Sequence, residues 1–454
     1  MTAQHAEPID LSRLTDALLD AARRAGAEAA DALAVDGTSV SVDVLKGALE
    51  HAERSEGIEI GLRVLIGRRQ ACISSSDARP DTLATMAERA VAMAREAPED
   101  PTVGLAEPAQ LADGWDAMAL DLMDDADPPT PAALQEMALA AEAAALDVPG
   151  VTQVGSAGAG WGARRIHLAA SNGFSGGYGR TGTSLSCVAI SGAGLSMERD
   201  YDADSRTHRA DLDAPDAVGR RAGERAVARA GARKPPTGAF PVLYDERIAA
   251  SVIGHLLSAI NGRAVARGAT FLRDALGDAV LPDGLDVWED PRLPRLQASK
   301  PFDAEGLPVA RRELVRDGVL QGWILDLATA RQLGLDSTGN AARGPSAPPS
   351  PSVTNIRMTQ GGQSRDALLS EMGTGLLITS MIGSSINATT GDYSRGASGF
   401  WVEGGEIAYP VNECTVAGNL RDMLRNLTPA NDARMHLSRA IPSLRIDGLT
   451  IAGA

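Results

Sequence analysis

The spacing of apolar residues changes its period sharply near the N-terminus, from that of a helix to that of a strand. Residues 11–32 carry apolar side chains at helical spacing, which predicts an amphipathic helix. Residues 39–44 then alternate strictly between polar and apolar, residues 59–66 nearly so, and a polar connector occupies residues 50–57. Because successive residues of a strand face opposite sides of a sheet, this alternation predicts antiparallel strands with one face in water. The chain therefore begins as helices packed on a sheet.

The pattern of predicted secondary structure changes a second time near the middle of the chain. A helical pattern at residues 214–232 is broken by Lys234-Pro235-Pro236-Thr237-Gly238. A strand at residues 240–244 and a helix at residues 246–261 follow, and short β-type runs then recur between glycines and prolines. A chain of 454 residues also exceeds the size that one core usually supports. We predict an α+β protein with two domains: helices on an antiparallel sheet over residues 1–236, and a β-rich C-terminal domain over residues 237–454.

Charge and cysteine usage exclude several classes of function. The formal net charge of −16 gives no electrostatic reason to bind nucleic acid or an anionic membrane surface. Cys72, Cys187 and Cys414 are far apart and odd in number, which excludes a disulfide framework and favours a reducing compartment. The sequence contains neither a signal-like N-terminus nor an apolar run of about 18 residues. We expect a cytoplasmic protein.

The histidines do not form a zinc-peptidase motif. No two of the 6 histidines lie within five residues of each other. A helical zinc motif needs two imidazoles about one turn apart and a neighbouring carboxylate as general base. Local spacing therefore predicts no catalytic metal site.

Two glycine-rich stretches resemble other active sites only superficially. Gly173-Phe174-Ser175-Gly176-Gly177 matches the Gly-x-Ser-x-Gly pattern, but a nucleophilic serine there needs a helix after it. Residues 178–190 alternate like a strand, so we predict a hairpin. Residues 158–162 are followed by a strand rather than a helix, and we predict a tight β-turn instead of a nucleotide loop.

Residues 387–406 concentrate small and aromatic residues in one segment. They predict a loop that leads into a hairpin turning at Gly404-Gly405, with Trp401 buried and an ion pair between Asp392 and Arg395. Small residues would let another backbone approach closely.

This segment, continued through residue 411, resembles the PmbA (TldE) branch of the TldD/PmbA peptidase family. Further landmarks of the family occur in the expected order: Gly61-Leu62-Arg63-Val64, Ser74-Ser75-Ser76-Asp77, Pro301-Phe302-Asp303-Ala304-Glu305-Gly306 and Ser337-Thr338-Gly339-Asn340. The resemblance implies a heterodimer in which a TldD-like chain carries zinc and the complex cleaves unfolded peptides or peptide precursors. It also implies an N-terminal α+β domain and a β-rich C-terminal domain.

The resemblance extends to the helix predicted at residues 246–261, which is similar to the zinc-bearing helix of the partner. It places His255 at the first ligand, Leu256 at the general-base glutamate and Ile260 at the second histidine. Apolar side chains neither bind zinc nor take a proton from water. We therefore expect a degenerate motif, with no catalytic residue and no metal ligand in this chain, and zinc in the TldD-like partner.

The resulting hypothesis is a non-catalytic, PmbA/TldE-like subunit of a metallopeptidase, a hydrolase at the level of the complex. It would pair with a TldD-like zinc subunit and help to bind unfolded peptide, without nucleic-acid or membrane partners. The segment predicted to lie near partner or peptide comprises Thr390, Gly391, Asp392, Tyr393, Ser394, Arg395 and Gly396. The alternative is an independent homodimeric peptide-binding module, or a hydrolase with an unrecognised site. Peptide cleavage or tight peptide binding by this chain alone would favour it.

Overall fold

The computed structural model describes residues 9–453, apart from the side chain of Ser384. The helices are α1 (Leu11–Ala25), α2 (Pro80–Glu96), α3 (Pro131–Leu146), α4 (Pro215–Ala228), α5 (Glu246–Ala259), α6 (Gly262–Ala266), α7 (Leu327–Leu333), α8 (Arg365–Met372) and α9 (Leu420–Arg425). Over residues 9–453, none of the helices is long and apolar enough to cross a bilayer.

Strands account for most of the regular structure in the second half of the chain. The strands are β1 (Ala29–Leu45), β2 (Ala48–Ile66), β3 (Arg69–Ser75), β4 (Val151–Ala170), β5 (Ser175–Ser191), β6 (Glu198–Arg206), β7 (Gly238–Tyr244), β8 (Val287–Glu289), β9 (Arg312–Arg316), β10 (Val319–Leu320), β11 (Ala341–Ala342), β12 (Ser350–Pro351), β13 (Ile356–Met358), β14 (Gly375–Ile386), β15 (Asp392–Glu403), β16 (Glu406–Asn419), β17 (Leu427–Pro429), β18 (Arg439–Ala440) and β19 (Leu444–Ala452).

The first six strands form one antiparallel sheet in the order β3-β2-β1-β4-β5-β6. Helices α1 and α2 pack over one part of it, where Leu18 and Leu62 are fully buried. Helices α3 and α4 cover another part, where Leu134 and Leu185 are buried. The predicted arrangement of helices on an antiparallel sheet is confirmed.

The second half is built on a six-stranded sheet in the order β16-β15-β14-β7-β19-β17. Strand β7 runs parallel to β14, and α5 follows β7 directly in the chain. Two smaller sheets, β10-β9-β8-β13-β18 and β11-β12, also belong to this half. One large core includes Trp401, Leu256 and Ile260, so the predicted β-rich C-terminal region is also confirmed.

The helix predicted over residues 11–32 is too long. It ends at Ala25, because Gly26 adopts a left-handed conformation with φ of 96° and its N–H donates to the Ala22 and Arg23 carbonyls. This is the usual glycine cap of a helix C-terminus. Strand β1 already begins at Ala29. The helix predicted over residues 246–261 likewise ends slightly early, at Ala259.

Two predicted connectors are wrong because each belongs to a strand. Residues 50–57 lie inside β2, which pairs with β1 from Ala48 to Leu65. Residues 48–57 are exposed, so their polar composition resembles that of a loop. Residues 158–162, predicted as a tight turn, lie inside β4, where Gly160 pairs with Ser41 and Ser184. The Ser175 hairpin is confirmed, since β4 pairs with β5 and no elbow helix follows that serine.

The predicted C-terminal hairpin is confirmed, but its predicted ion pair is wrong. Strands β15 and β16 pair across a turn at Gly404-Gly405, and Trp401 is buried. The Asp392 carboxylate instead accepts hydrogen bonds from the side chains of Thr390 and Asn419. Because side chains alternate along β15, Asp392 and Arg395 point away from each other.

Candidate functional site

Helix α5 is the element that sequence reasoning singled out. The Asp245 carboxylate caps its start by accepting from the Arg247 N–H, and the Asp245 N–H donates to the Ile378 carbonyl of β14. These bonds fix where α5 starts relative to the sheet. One face of the helix, including Val252 and Leu256, is buried in the C-terminal core.

His255 lies half-buried on α5 and faces strand β15. Its ring meets that of Tyr393 edge-on, with centroids 5.8 Å apart and an interplanar angle of 75°. Its Nε2 atom is buried and has no hydrogen-bond partner among the described residues. Burial, helped by the positive charge of Arg395, lowers the pKa of His255. The imidazole is thus held neutral in an aromatic contact.

Tyr244 and Tyr393 form a polar cluster with His255 and Arg395, and the two tyrosines extend it into the core. The Tyr244 hydroxyl donates to the Tyr393 hydroxyl at 3.5 Å, which in turn donates to the Met381 sulfur at 3.5 Å. Burial raises the pKa of both phenols, so they stay protonated at neutral pH. The guanidinium of Arg395 donates from Nε to the Gly383 carbonyl at 2.8 Å. The cluster therefore contains hydrogen-bond donors and a cation but no carboxylate.

This set of side chains does not fit a catalytic zinc ion. Leu256 and Ile260 are fully buried at the positions where the resemblance expects the general base and the second ligand. Arg395 is close enough to lower the pKa of His255 and would repel a divalent cation. Nowhere in residues 9–453 do three or more His, Cys, Asp or Glu side chains form a group that could hold a metal ion.

The segment at residues 390–396 forms a tight turn and the start of β15. The Thr390 hydroxyl donates to Asp392 at 2.6 Å, and Gly391 has a positive φ of 85°. Thr390 and Asp392 are exposed. Gly391 and Tyr393 are buried, whereas the last three residues of the segment are half-buried: Ser394, Arg395 and Gly396. The structure thus brings this segment to His255 through Tyr393.

The sequence analysis did not predict that the carboxyl groups of the Pro301–Gly306 landmark are buried. The Asp303 carboxylate accepts from three backbone N–H groups, those of Glu305, Leu307 and Ala341. Burial, with the neighbouring Asp303 charge, raises the pKa of Glu305 to about 8. Two carboxyl groups two residues apart were the available signal, although residue type alone does not indicate burial.

A second missed cluster joins the two halves of the chain. Asp31 of β1 is buried and pairs with Arg63 of β2 at 2.5 Å and also with Arg343, whose side chain is fully buried. Both arginines lower the pKa of Asp31 against the opposing effect of its burial. Gly61, next to this cluster on β2, packs against the backbone of Pro345.

Models of known protein families match nearly the whole chain. Family models described as PmbA/TldA metallopeptidase domain 1, central domain and C-terminal domain match residues 30–94, 124–230 and 237–453. Metalloprotease PmbA of Escherichia coli O157:H7 is 39% identical over 420 residues, which cover 92% of this chain and 90% of that protein. The chain belongs to the PmbA/TldD family.

Other members of the PmbA/TldD family place the chain nearer to PmbA than to TldD. The Metalloprotease PmbA homolog of Haemophilus influenzae is 36% identical over 99% of this chain and 97% of its own length. The Metalloprotease TldD homolog of that organism is 25% identical over only 48% of this chain and 49% of its own. The structure of TldE from Thermococcus kodakarensis shares the fold, with a TM-score of 0.85, 18% identity and coverage of 97% and 100%.

Proposed function

We propose that this chain is the subunit without a zinc site in a heterodimeric metallopeptidase of the TldD/TldE type. The complex would degrade unfolded peptides or process peptide precursors, with zinc supplied by a TldD-like partner. The observation that carries the proposal is the surroundings of His255: a Tyr393 ring, a nearby Arg395 cation, and buried Leu256 and Ile260 where a base and a ligand are needed. A metallopeptidase family member with these residues needs a second chain for catalysis.

The relatives support a two-chain enzyme. Haemophilus influenzae has both a PmbA homolog and a TldD homolog, and this chain resembles the first over almost its full length. Two such chains in one organism allow one to keep the catalytic metal while the other specialises in binding.

The segment at residues 390–396 is the proposed contact with partner or peptide. Thr390 and Asp392 present exposed polar groups, and the turn between them is fixed by Asn419, whose side-chain amide donates to the Thr390 carbonyl at 3.1 Å. The buried Tyr393 anchors the segment beside His255. A rigid, exposed turn of this kind loses little conformational entropy when a partner binds.

Mixing experiments test the proposal. The purified chain, its TldD-like partner and their mixture are compared by size-exclusion chromatography, by metal analysis and by cleavage of an unfolded peptide. We expect a complex, zinc that follows the partner, and cleavage that requires both chains. Failure to form a complex, or full activity of the partner alone, would contradict the proposal. Stoichiometric zinc or peptide cleavage in this chain alone would instead support the independent hydrolase.

A further inference from the structure

The first twelve residues of β2 form a long outer edge that no other strand covers in the part of the chain that the structure describes. Strand β2 pairs with β1 along its length, but β3 pairs only with Ile60 to Ile66. Within the described part of the chain, no strand lies beside residues 48–59 on that outer edge. Twelve residues span about 40 Å at roughly 3.3 Å per residue, and alternate N–H and C=O groups point outward. Such an edge is a template for one more strand.

The edge adjoins the 760 Å³ cavity on the first sheet. Ser55 and Gly57 lie on the edge and also line this cavity, together with residues of β1, β4 and β5. Ser55 pairs with Ser39 of β1, and Ser39 pairs in turn with Gly162 of β4. No bulky side chain stands at these three positions. The charged residues among those that line the cavity are Arg164 and Arg180, so the side chains of an added strand that enter the cavity would be its small, uncharged ones.

The charges on this edge favour one kind of strand. Four glutamates lie between residues 48 and 59, against a single arginine, Arg54, which already pairs with Glu56: Glu50, Glu53, Glu56 and Glu59. A second copy of the same strand would place carboxylates opposite carboxylates, which is destabilising. A neutral strand would gain nothing from these charges, and an acidic strand would be repelled by them. A basic strand would neutralise them.

We propose that β2 captures extended, Lys- or Arg-rich peptide segments as an additional strand along residues 48–59. This inference rests on the proposed function and names a substrate class for it. Main-chain hydrogen bonds to the edge would supply affinity without requiring a particular sequence, as suits unfolded substrates. The glutamates would then select basic segments by attraction and exclude acidic ones by repulsion.

Binding of short labelled peptides to the full chain, alone and in complex with its partner, tests the inference. The probes are a fluorescent decapeptide of alternating Lys and Thr, the same peptide with Glu for Lys, and the Lys peptide with all of its backbone nitrogens methylated, so that neither edge can donate hydrogen bonds. We expect only the first to bind, because methylation blocks strand pairing while leaving the charge intact. Equal binding of the methylated peptide would overturn the inference.

Charge reversal supplies the matched variants. We expect Glu53→Lys with Glu56→Lys to weaken binding of the Lys peptide by about tenfold or more, since several surface ion pairs are lost together. Glu88→Lys with Glu136→Lys changes the net charge equally at exposed helix positions and should leave binding unchanged. Equal losses in both variants, or loss of peptide binding once the partner is bound, would overturn the inference. Absence of a complex would instead defeat the proposed function.

Discussion

The imidazole of His255 packs edge-on against the ring of Tyr393, with 5.8 Å between ring centroids. An edge-to-face contact of this kind between two aromatic rings is stabilising. Burial and the nearby Arg395 lower the pKa of His255, which favours the uncharged form of the imidazole. The residue that resembles a zinc ligand therefore acts as a packing residue between α5 and β15.

Replacing His255 tests this role. His255→Ala should lower the free energy of unfolding by about 1–2 kcal/mol, less than for a fully buried ring, because part of the side chain is exposed. It should change neither the zinc content nor the peptidase activity of the complex with the partner. Urea unfolding and metal analysis measure these effects. His51→Ala, at a largely exposed position, serves as control and should be nearly neutral. Loss of bound zinc in His255→Ala would show that this imidazole is a ligand.

Restoring the general base should unfold the region instead of creating an active site. Leu256 is fully buried among apolar side chains of the C-terminal core. A carboxylate there would lose its hydration without gaining a partner, so Leu256→Glu should cost more than about 3 kcal/mol. Leu256→Met conserves volume and polarity and should cost less than about 1.5 kcal/mol. Circular dichroism during urea unfolding compares the two; equal stabilities would contradict the buried packing of Leu256.

The sequence predicts some of these elements well and others poorly, for physical reasons. Helix α5 is predictable because its apolar period is helical and Asp245 stands at its cap. The exposed part of β2 is not, since a solvated strand lacks the alternation that one buried face imposes. The contact between His255 and Tyr393 depends on strand register and helix placement, which no local pattern encodes. Burial of Glu305 likewise follows from the packing of distant segments.

The buried carboxyl of Glu305 should make stability depend on pH. Burial raises its pKa to about 8 from 4.5 in the unfolded chain. A group whose pKa is raised on folding contributes stability that is complete below its unfolded pKa and is lost as pH rises through the folded one. This contribution should therefore fade between about pH 4.5 and pH 8, by at most about 5 kcal/mol, since one pKa unit is about 1.4 kcal/mol.

Glu305→Gln provides the test for this titration. The amide carbonyl can still accept from the Leu327 N–H, which donates to Glu305 at 2.9 Å, but the side chain no longer titrates. We expect the free energy of unfolding to fall less steeply from pH 5 to pH 9 in this variant than in the unmodified chain. Glu88→Gln, on the exposed side of α2, should preserve the original slope. Parallel profiles for Glu305→Gln and the unmodified chain would contradict a raised pKa.

Two glycines on β2 offer a matched test of how the first sheet contacts the second half of the chain. A Cβ at Gly61 would lie 2.1 Å from the Pro345 carbonyl oxygen, a backbone atom that cannot swing away, whereas a Cβ at Gly57 would meet nothing within 4 Å. Gly61→Ala should therefore force the two segments apart and cost about 1–3 kcal/mol. It should also strain the nearby pair between Asp31 and Arg343. Gly57→Ala should be neutral or stabilise slightly, since alanine loses less entropy in a strand. Urea unfolding measures both, and equal effects at the two positions would mean that the Pro345 backbone does not pack on β2.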